Sequence, residues 1–291
     1  MSKHALVLSG GGAKGAFQFM AEKYAREVKG YHWDVIAGVS VGALNGTMLA
    51  MEKYDQLEEI WKTITADQVY TGGINVWSIL KLLFGAKSVY GNEPLWQILD
   101  RVVEPDKIKV DLRIGVVSLR SGQYVPFRPG DPGFKKAVLA STAIPLVWTP
   151  VDITAEHVDM VDGGVRNYSP LGDVLDVEPD EVVIINCSPR DPPVRDKPFK
   201  NALEIGMTSL SLALNEVFVT DLSEFLRIDH NVQEAQAFGA VLTNPGGKVY
   251  KSYTHHIIEP VEPLGDTMDF SRATLDRRME AGWERAKEVL G

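Results

Sequence analysis

Cysteine is almost absent from this sequence of 291 residues, which contains only Cys187. A single cysteine excludes a disulfide within the chain, a pattern typical of proteins in a reducing compartment. Cys187 directly follows the largely apolar run EVVIIN. We therefore predict that it is a small core residue and not a nucleophile.

Long apolar runs are also missing. No continuous stretch reaches the roughly 20 residues that a membrane-spanning helix needs. The N-terminus does not show, in order, the basic region, apolar segment and small-residue cleavage site of a secretory signal. We expect a cytoplasmic protein, with peripheral contact to a membrane at most. Export by a route that leaves no cleavable signal stays open.

Basic residues are outnumbered, and the formal net charge is -9. No basic stripe of the kind that marks nucleic-acid binding is present, so no nucleic-acid partner is expected. The charge also opposes purely electrostatic binding to an anionic membrane. No linker, low-complexity run or internal repeat divides the sequence, which predicts one domain over residues 1–291.

Short apolar runs alternate with segments of helical periodicity along the chain. Strands are predicted at 4–9, 33–39, 112–119, 124–127, 158–161, 182–187 and 248–258. Helices are predicted at 16–28, 41–51, 55–65, 93–103, 134–139, 199–238 in two pieces, and 271–290 with Ser271 as N-cap. This order predicts a three-layer α/β/α fold with a mostly parallel central sheet.

Ser40 lies in the pattern G-x-S-x-G, with Gly38 and Gly42 on either side. An apolar run precedes it and a helical pattern follows, as in a tight strand-to-helix turn that lifts a nucleophilic serine out of the backbone. Small residues are needed two positions before and after such a serine. The N-terminus of the following helix favours an anion that forms there. The context favours a nucleophile over an incidental serine in a glycine turn.

A glycine loop, Gly10 to Gly15, separates the first predicted strand from the first helix. A dinucleotide site would require an acidic residue at the end of the second strand, but Asp34 begins that strand. A P-loop would require Ser or Thr after Lys14, where Gly15 stands. An oxyanion hole next to Ser40 explains both glycine motifs. Its candidate residues are Gly10, Gly11, Gly12, Ala13, Lys14 and Gly15.

The base that would activate Ser40 is not an obvious histidine. His230, His255 and His256 follow Ser40 in the chain, but none lies in a glycine-rich loop after a strand. Asp162 follows a predicted strand and precedes two glycines, which let a loop approach another backbone closely. Asp162 is therefore a candidate base, although an ordinary Asp-Gly turn has the same pattern.

These blocks together resemble the patatin-like phospholipase family, including its bacterial members. The blocks are Gly10 to Gly15, Gly38 to Gly42, Ala140-Ser141 with Pro145, and Asp162-Gly163-Gly164 continuing to Asn167 and Pro170. The recognisable motifs lie within residues 4–170. The resemblance implies a patatin-like fold and a Ser-Asp dyad without a catalytic histidine. Ser40 would be the nucleophile and Asp162 the base.

The resemblance also implies hydrolysis of fatty acyl esters of phospholipids or neutral lipids through an acyl-enzyme, with no metal and no other cofactor. Many members carry arginine where Lys14 stands, and lysine keeps the charge but not the planar fork. A soluble carboxylesterase or thioesterase with the same dyad is one alternative, and a nucleotide-binding module using Gly10 to Gly15 is another. Segment 74–90 has the composition of either a lid or interfacial helix or a core helix. As an interfacial helix it would make transient contact with a membrane surface.

Overall fold

A computed structural model of the chain describes residues 2–70, 90–191, 198–199 and 202–291. Apart from Tyr90, the segment 74–90 lies outside these residues. Within the described part, seven strands form one sheet. They are β1 (His4–Leu8), β2 (Val35–Gly38), β3 (Asp111–Ser118), β4 (Tyr124–Phe127), β5 (Met160–Asp162), β6 (Glu181–Ile185) and β7 (Thr254–Ile258).

The sheet has the strand order β4-β3-β2-β1-β6-β7, with β5 paired to β3. The pairs among β3, β2, β1, β6 and β7 are parallel, and only β4 and β5 run antiparallel to their partner β3. The mostly parallel sheet is therefore confirmed. In a parallel sheet the carboxyl ends of neighbouring strands meet at one edge, which places the loops after β1 and β2 side by side.

Helices cover both faces of the sheet, which confirms the three-layer prediction. They are α1 (Gly15–Glu27), α2 (Val41–Ala50), α3 (Tyr54–Thr63), α4 (Ala66–Val69), α5 (Glu93–Val102), α6 (Phe134–Ala140), α7 (Gly172–Leu175), α8 (Ala202–Ala237) and α9 (Arg272–Leu290). Among the described residues, no helix is both long and apolar enough to cross a bilayer.

Alternating strand residues divide the core between the two faces, because successive side chains of a strand point in opposite directions. On one face Leu6 and Leu8 pack with α1, α2 and α9. On the other face Ala5 and Val7 pack with residues of α7 and with Phe218 of α8. Cys187 is fully buried, as predicted.

The register of β5 brings two distant parts of the chain together. β4 occupies one edge of β3, pairing with Ile114 to Val117. β5 must therefore pair along the other edge, where β2 stops at the pair Gly38–Ile114. Asp162 pairs with Val116, two residues beyond that point. The strand β5 thus continues the line of β2, and its last residue lies next to the turn that follows Gly38.

Two predicted elements differ from those observed, and one predicted cap lacks its side-chain hydrogen bond. The helix predicted as two pieces is one, because no proline interrupts Ala202–Ala237 and its buried residues follow at helical spacing from Phe218 onwards. The strand predicted over 248–258 begins only at Thr254. Its first part instead forms a turn in which Asn244 N–H donates to the Lys248 carbonyl. Ser271 occupies the N-cap of α9, but its hydroxyl makes no capping hydrogen bond.

Candidate active site

Ser40 occupies a strained turn between β2 and α2. Its backbone has φ 55° and ψ -129°, in a region that L-residues rarely adopt. It lies at the N-cap position of α2, and its side chain is almost entirely buried. Positive φ turns the side chain away from the path of the strand, so the hydroxyl lies at the end of the sheet.

Gly38 and Gly42 allow the backbone to make this turn. A Cβ on Gly38 would lie 2.3 Å from the carbonyl oxygen of Gly42. A Cβ on Gly42 would lie 2.3 Å from the carbonyl oxygen of Leu8, at the end of β1. Both contacts are with backbone atoms, which cannot rotate away as a side chain can. The predicted need for small residues around Ser40 thus has a direct steric cause.

Ser141 fixes the same turn from a third direction. The backbone N–H of Ser40 donates to Ser141 Oγ at 3.0 Å, and that hydroxyl donates to the carbonyl of Gly115 in β3 at 2.7 Å. Ser141 was singled out in the sequence only as part of a family block, without a function. The hydrogen bonds show that it connects the turn to the sheet.

Asp162 ends β5 beside this turn and is 4% exposed. Its Oδ1 accepts a hydrogen bond from the N–H of Gly164 at 2.8 Å. Among the described residues, Oδ2 has no hydrogen-bond partner. Ser40 and Asp162 line the same cleft.

The environment of Asp162 makes its carboxyl a much weaker acid than an ordinary aspartate. Burial raises the pKa of Asp162 to about 7, against the opposing effects of the Ser40 hydroxyl and the Gly164 N–H. The Ser40 hydroxyl is thus close enough to lower the pKa, yet the pair makes no hydrogen bond of ordinary length and angle. Such contacts are often loose before substrate binds. A carboxyl with this pKa can accept and return a proton near neutral pH.

Most N–H groups of the glycine loop have partners. Gly10 donates to the Tyr168 carbonyl, Ala13 to Thr267, Lys14 to Gly11 and Gly15 to Gly12. Among the described residues, the N–H groups of Gly11 and Gly12 have no hydrogen-bond partner. Both glycines have positive φ, and a Cβ on either would collide with Cys187 or Thr267. Of the six candidate residues, two therefore retain free donors.

A chain of buried polar side chains connects the glycine loop to α2. The Gln18 amide donates to the Ser9 carbonyl at 3.2 Å. Asn45 donates to Gln18 Oε1 at 3.0 Å, and the Trp61 indole donates to Asn45 Oδ1 at 2.9 Å. Buried amides without partners would be costly, so this chain favours one relative position of the two segments.

Lys14 lines the cleft and is partly buried, and the loss of hydration lowers the pKa of its ammonium group. The Nζ atom lies 3.5 Å from Ser188 Oγ. Its positive charge lies at the start of α1, next to the loop with the two free N–H groups.

The C-terminal part of the chain also contacts the glycine loop, which the sequence did not indicate. Arg278 of α9 is fully buried and donates to three backbone carbonyls. They belong to Leu264 at 2.9 Å, Asp266 at 2.6 Å and Asp269 at 2.9 Å. The loop that these bonds fix contains Thr267, whose carbonyl accepts from Ala13 at 2.8 Å.

Two cavities reach Ser40. The open cleft has a volume of about 590 Å³ and contains Gly11, Lys14, Ser40 and Asp162 among its lining residues. The second cavity, of about 100 Å³, begins at Ser40 and is lined almost wholly by apolar side chains of α2, α3, α5 and the loop after β7. These include Leu44, Met48, Leu57, Ile60, Leu95, Leu99, Val102, Met268 and Phe270. The sequence prediction did not identify this cavity.

The three candidate histidines, which follow both Ser40 and Asp162 in the chain, lie elsewhere. His230 is exposed on α8 beside Glu234. His256 lies 2.9 Å from Glu181 at the amino end of β6, and His255 lies 3.8 Å from Asp229. Of the described residues that line the two cavities at Ser40, none is a histidine.

Comparison with known families agrees with the motifs. The family model described as "Patatin-like phospholipase" matches residues 6–175, which is more than half of the chain. The chain belongs to the patatin-like phospholipase family. The matched segment extends from β1 through α7 and includes Ser40 and Asp162. The family is one of lipid acyl hydrolases.

Among curated proteins, the chain is 28% identical to NTE family proteins of Mycobacterium tuberculosis and Mycobacterium bovis, both described as uncharacterized. The match extends over 199 residues, 66% of this chain and 51% of each relative. The chain thus spans about half the length of the curated relatives it matches. A crystal structure of VipD from Legionella pneumophila aligns with 99% of this chain and 66% of that chain, at 13% identity and a TM-score of 0.48.

Proposed function

We propose that this chain hydrolyses fatty acyl esters through a dyad of Ser40 and Asp162. The observation that carries the proposal is the position of Ser40. The serine lies in a strained turn beside a buried carboxyl whose pKa is raised to about 7, with an apolar cavity opening from the same point. A nucleophile, a base and a binding site for an acyl chain therefore meet at one place.

In the proposed first step, the ester carbonyl carbon is attacked by Ser40 Oγ while its proton passes to Asp162. The free Oδ2 atom of Asp162 is suited to accept this proton, because Oδ1 is already bonded to the Gly164 N–H. The carbonyl oxygen becomes negative, and the N–H groups of Gly11 and Gly12 would donate to it. One such donor is worth about 3–4 kcal/mol in serine hydrolases. The positive charge of the partly buried Lys14 would favour the same anion.

Collapse of the tetrahedral intermediate would transfer the proton from Asp162 to the leaving alcohol, leaving an acyl group on Ser40. Water then attacks this acyl group while Asp162 accepts a proton from the water. As the second tetrahedral intermediate collapses, Asp162 donates this proton to Ser40 Oγ and the fatty acid is released. No step requires a histidine, because the same carboxyl acts as base and acid in turn.

Lipid esters fit the site better than small polar esters. The cavity that begins at Ser40 is lined by aliphatic and aromatic side chains, so an acyl chain would lose its contact with water there. The alternative of a nucleotide site has less support, because side chains already occupy the space beside Gly10. A Cβ on Gly10 would lie 3.0 Å from the Tyr168 ring and 3.3 Å from Ser40 Cβ. Asp34 accepts a hydrogen bond from His4 N–H, at the opposite end of the strands.

The dyad is tested by measuring hydrolysis of p-nitrophenyl butyrate by Ser40→Ala and Asp162→Asn. We expect each change to lower kcat by a factor of about 10³ or more, since each removes a group that reacts directly. The matched controls are His230→Ala, His255→Ala and His256→Ala, which should retain the activity of the natural sequence. Full activity of Ser40→Ala or Asp162→Asn, or loss of activity in a histidine control, would contradict the proposal.

A further inference from the structure

The side chains described in the first half of α8 are not part of the buried core. Among the side chains described for residues 204–217, none is fully buried, and Phe218 is the first that is. From Phe218 onwards, Leu222 and Phe225 pack on the sheet. Several residues before Phe218 instead line the cleft, among them Glu204 and Leu210.

This half of α8 is nevertheless apolar. Between Glu204 and Glu216 the sequence IGMTSLSLALN contains no charged residue. Ile205 is 47% exposed and Leu212 is 50% exposed, and their spacing of seven residues places them on one side of the helix. A solvated helix face normally carries charges, so an uncharged face with large exposed aliphatic side chains marks a contact surface.

A similar exposed residue lies in the segment 144–147, next to two residues that line the cleft. Leu146 is 50% exposed and has φ 71°, a conformation that is unfavourable for a large L-residue. Its neighbours Ile144 and Val147 line the cleft. Leu146 thus combines an unfavourable backbone conformation with a half-exposed aliphatic side chain, next in sequence to the cleft lining.

Leu146, Ile205 and Leu212 are called the mouth patch below. We propose that the mouth patch contacts an uncharged or zwitterionic lipid–water interface, so that an acyl chain enters the cleft directly from the lipid. This inference rests on the proposed function, because the acyl chain would enter the cleft that contains Ser40 and Asp162. Two observations indicate a lipid surface of this charge type. The segment 205–215, which carries two of the three residues, contains no Lys or Arg, and the net charge of -9 opposes attraction to an anionic surface.

Binding is tested separately from turnover with the Ser40→Ala chain and phosphatidylcholine vesicles in a sedimentation assay. The test variant adds Leu146→Asn and Ile205→Gln, which leave the cleft-lining Leu212 in place. Asparagine tolerates positive φ and glutamine favours helix, so both changes remove apolar surface with little effect on the backbone. We expect binding to weaken by about tenfold or more.

A matched control adds Phe238→Gln and Val241→Asn to the same Ser40→Ala chain. These residues are 89% and 68% exposed and lie at the other end of α8, roughly 40 Å from Leu212 along the helix axis. The control should bind vesicles as the parent does. Unchanged binding by the Leu146→Asn/Ile205→Gln variant, loss of binding by the control, or no binding by the parent would overturn the proposal.

Two further arms separate this proposal from the proposed function. With Ser40 restored, the Leu146→Asn/Ile205→Gln variant should hydrolyse monomeric p-nitrophenyl butyrate at the unaltered rate, because neither residue lines the cleft. If the natural sequence hydrolyses no ester, the proposed function fails while the vesicle result still stands. Addition of phosphatidylglycerol to the vesicles should weaken binding, and stronger binding would overturn the assigned surface charge.

Discussion

At the scale of single residues, Ser40 and Asp162 both adopt states that folding alone would not favour. Ser40 has positive φ, and the buried Asp162 carboxyl has an oxygen without a hydrogen-bond partner among the described residues. Each state costs of order 1–3 kcal/mol. Both occur at the junction of β2 and β5, so the cost is concentrated where the proposed chemistry takes place.

The raised pKa of Asp162 predicts a pH dependence of hydrolysis. In the proposed mechanism Asp162 must be ionised to accept a proton, and burial raises its pKa to about 7. As pH falls through this value the carboxyl takes up a proton, so kcat/KM for p-nitrophenyl butyrate should fall about tenfold per pH unit on the acidic side. A pH profile of kcat/KM checks this.

The control for this profile is the folded state, followed by circular dichroism over the same pH range. An acidic limb with a midpoint near that of an ordinary aspartate would contradict the assignment of Asp162 as a base in a desolvated environment.

Gly42 offers a second test at this scale. Gly42→Ala would place a Cβ 2.3 Å from the Leu8 carbonyl oxygen, which belongs to the sheet. We expect the free energy of unfolding, measured in urea, to fall by about 3 kcal/mol or more. In the matched control Gly206→Ala, the new Cβ meets nothing within 4 Å. That change should leave stability unchanged or raise it by about 0.5–1 kcal/mol. Equal stabilities of the two variants would disprove the steric account of the turn.

At the scale of elements, the Arg278 side chain connects α9 to the segment that contacts the glycine loop. The three donor directions of the Arg278 guanidinium match three carbonyls of the segment 264–269. That segment in turn accepts a hydrogen bond from Ala13. Arg278 is therefore a positioning residue for the loop that carries Gly11 and Gly12.

Arg278→Lys should disturb this position while keeping the charge, because an ammonium group cannot reproduce the planar fork. We expect kcat for p-nitrophenyl butyrate to fall roughly tenfold with KM within about twofold, as for partial loss of an oxyanion donor. Arg277→Lys, an exposed neighbour on α9, is the control and should show normal kinetics. Equal kinetics for the two variants would show that Arg278 does not position the glycine loop.

Elements with local signals could be predicted from the sequence. The buried strands β1, β2 and β6 have continuous apolar runs, and the turn at Ser40 has its glycines. Contacts between distant segments have no such signal. Nothing in the sequence shows that Thr267 contacts the glycine loop. The continuity of α8 was also missed, since its uncharged first half and its amphipathic second half have different patterns.

At the scale of the whole molecule, the apolar cavity combines both ends of the chain. Its walls come from α2, α3 and α5 in the family-matched segment and from Met268 and Phe270 beyond that segment. The family-matched segment therefore contains the proposed reacting groups, Ser40 and Asp162, but only part of the cavity lining. We expect the selectivity for acyl length to depend on residues that carry no motif.

Val102→Phe tests this expectation, because Val102 is a buried wall residue of the cavity on α5. The larger side chain should fill space that a long acyl chain needs. We predict that the ratio of kcat/KM for p-nitrophenyl octanoate to that for butyrate falls about tenfold or more. Val28→Phe, at an exposed position after α1, is the size-matched control and should keep the original ratio. An unchanged ratio in Val102→Phe would show that acyl chains bind elsewhere.

The most direct test of the Ser40–Asp162 dyad is reaction with a fluorophosphonate, followed by peptide mass spectrometry to locate the adduct. If Ser40 is the nucleophile, one adduct forms on the peptide that contains Ser40 and none forms in Ser40→Ala. If Asp162 is the base, labelling of Asp162→Asn is slower by a factor of about 100 or more. An adduct on another serine, or labelling of Asp162→Asn at the original rate, would contradict the proposed dyad.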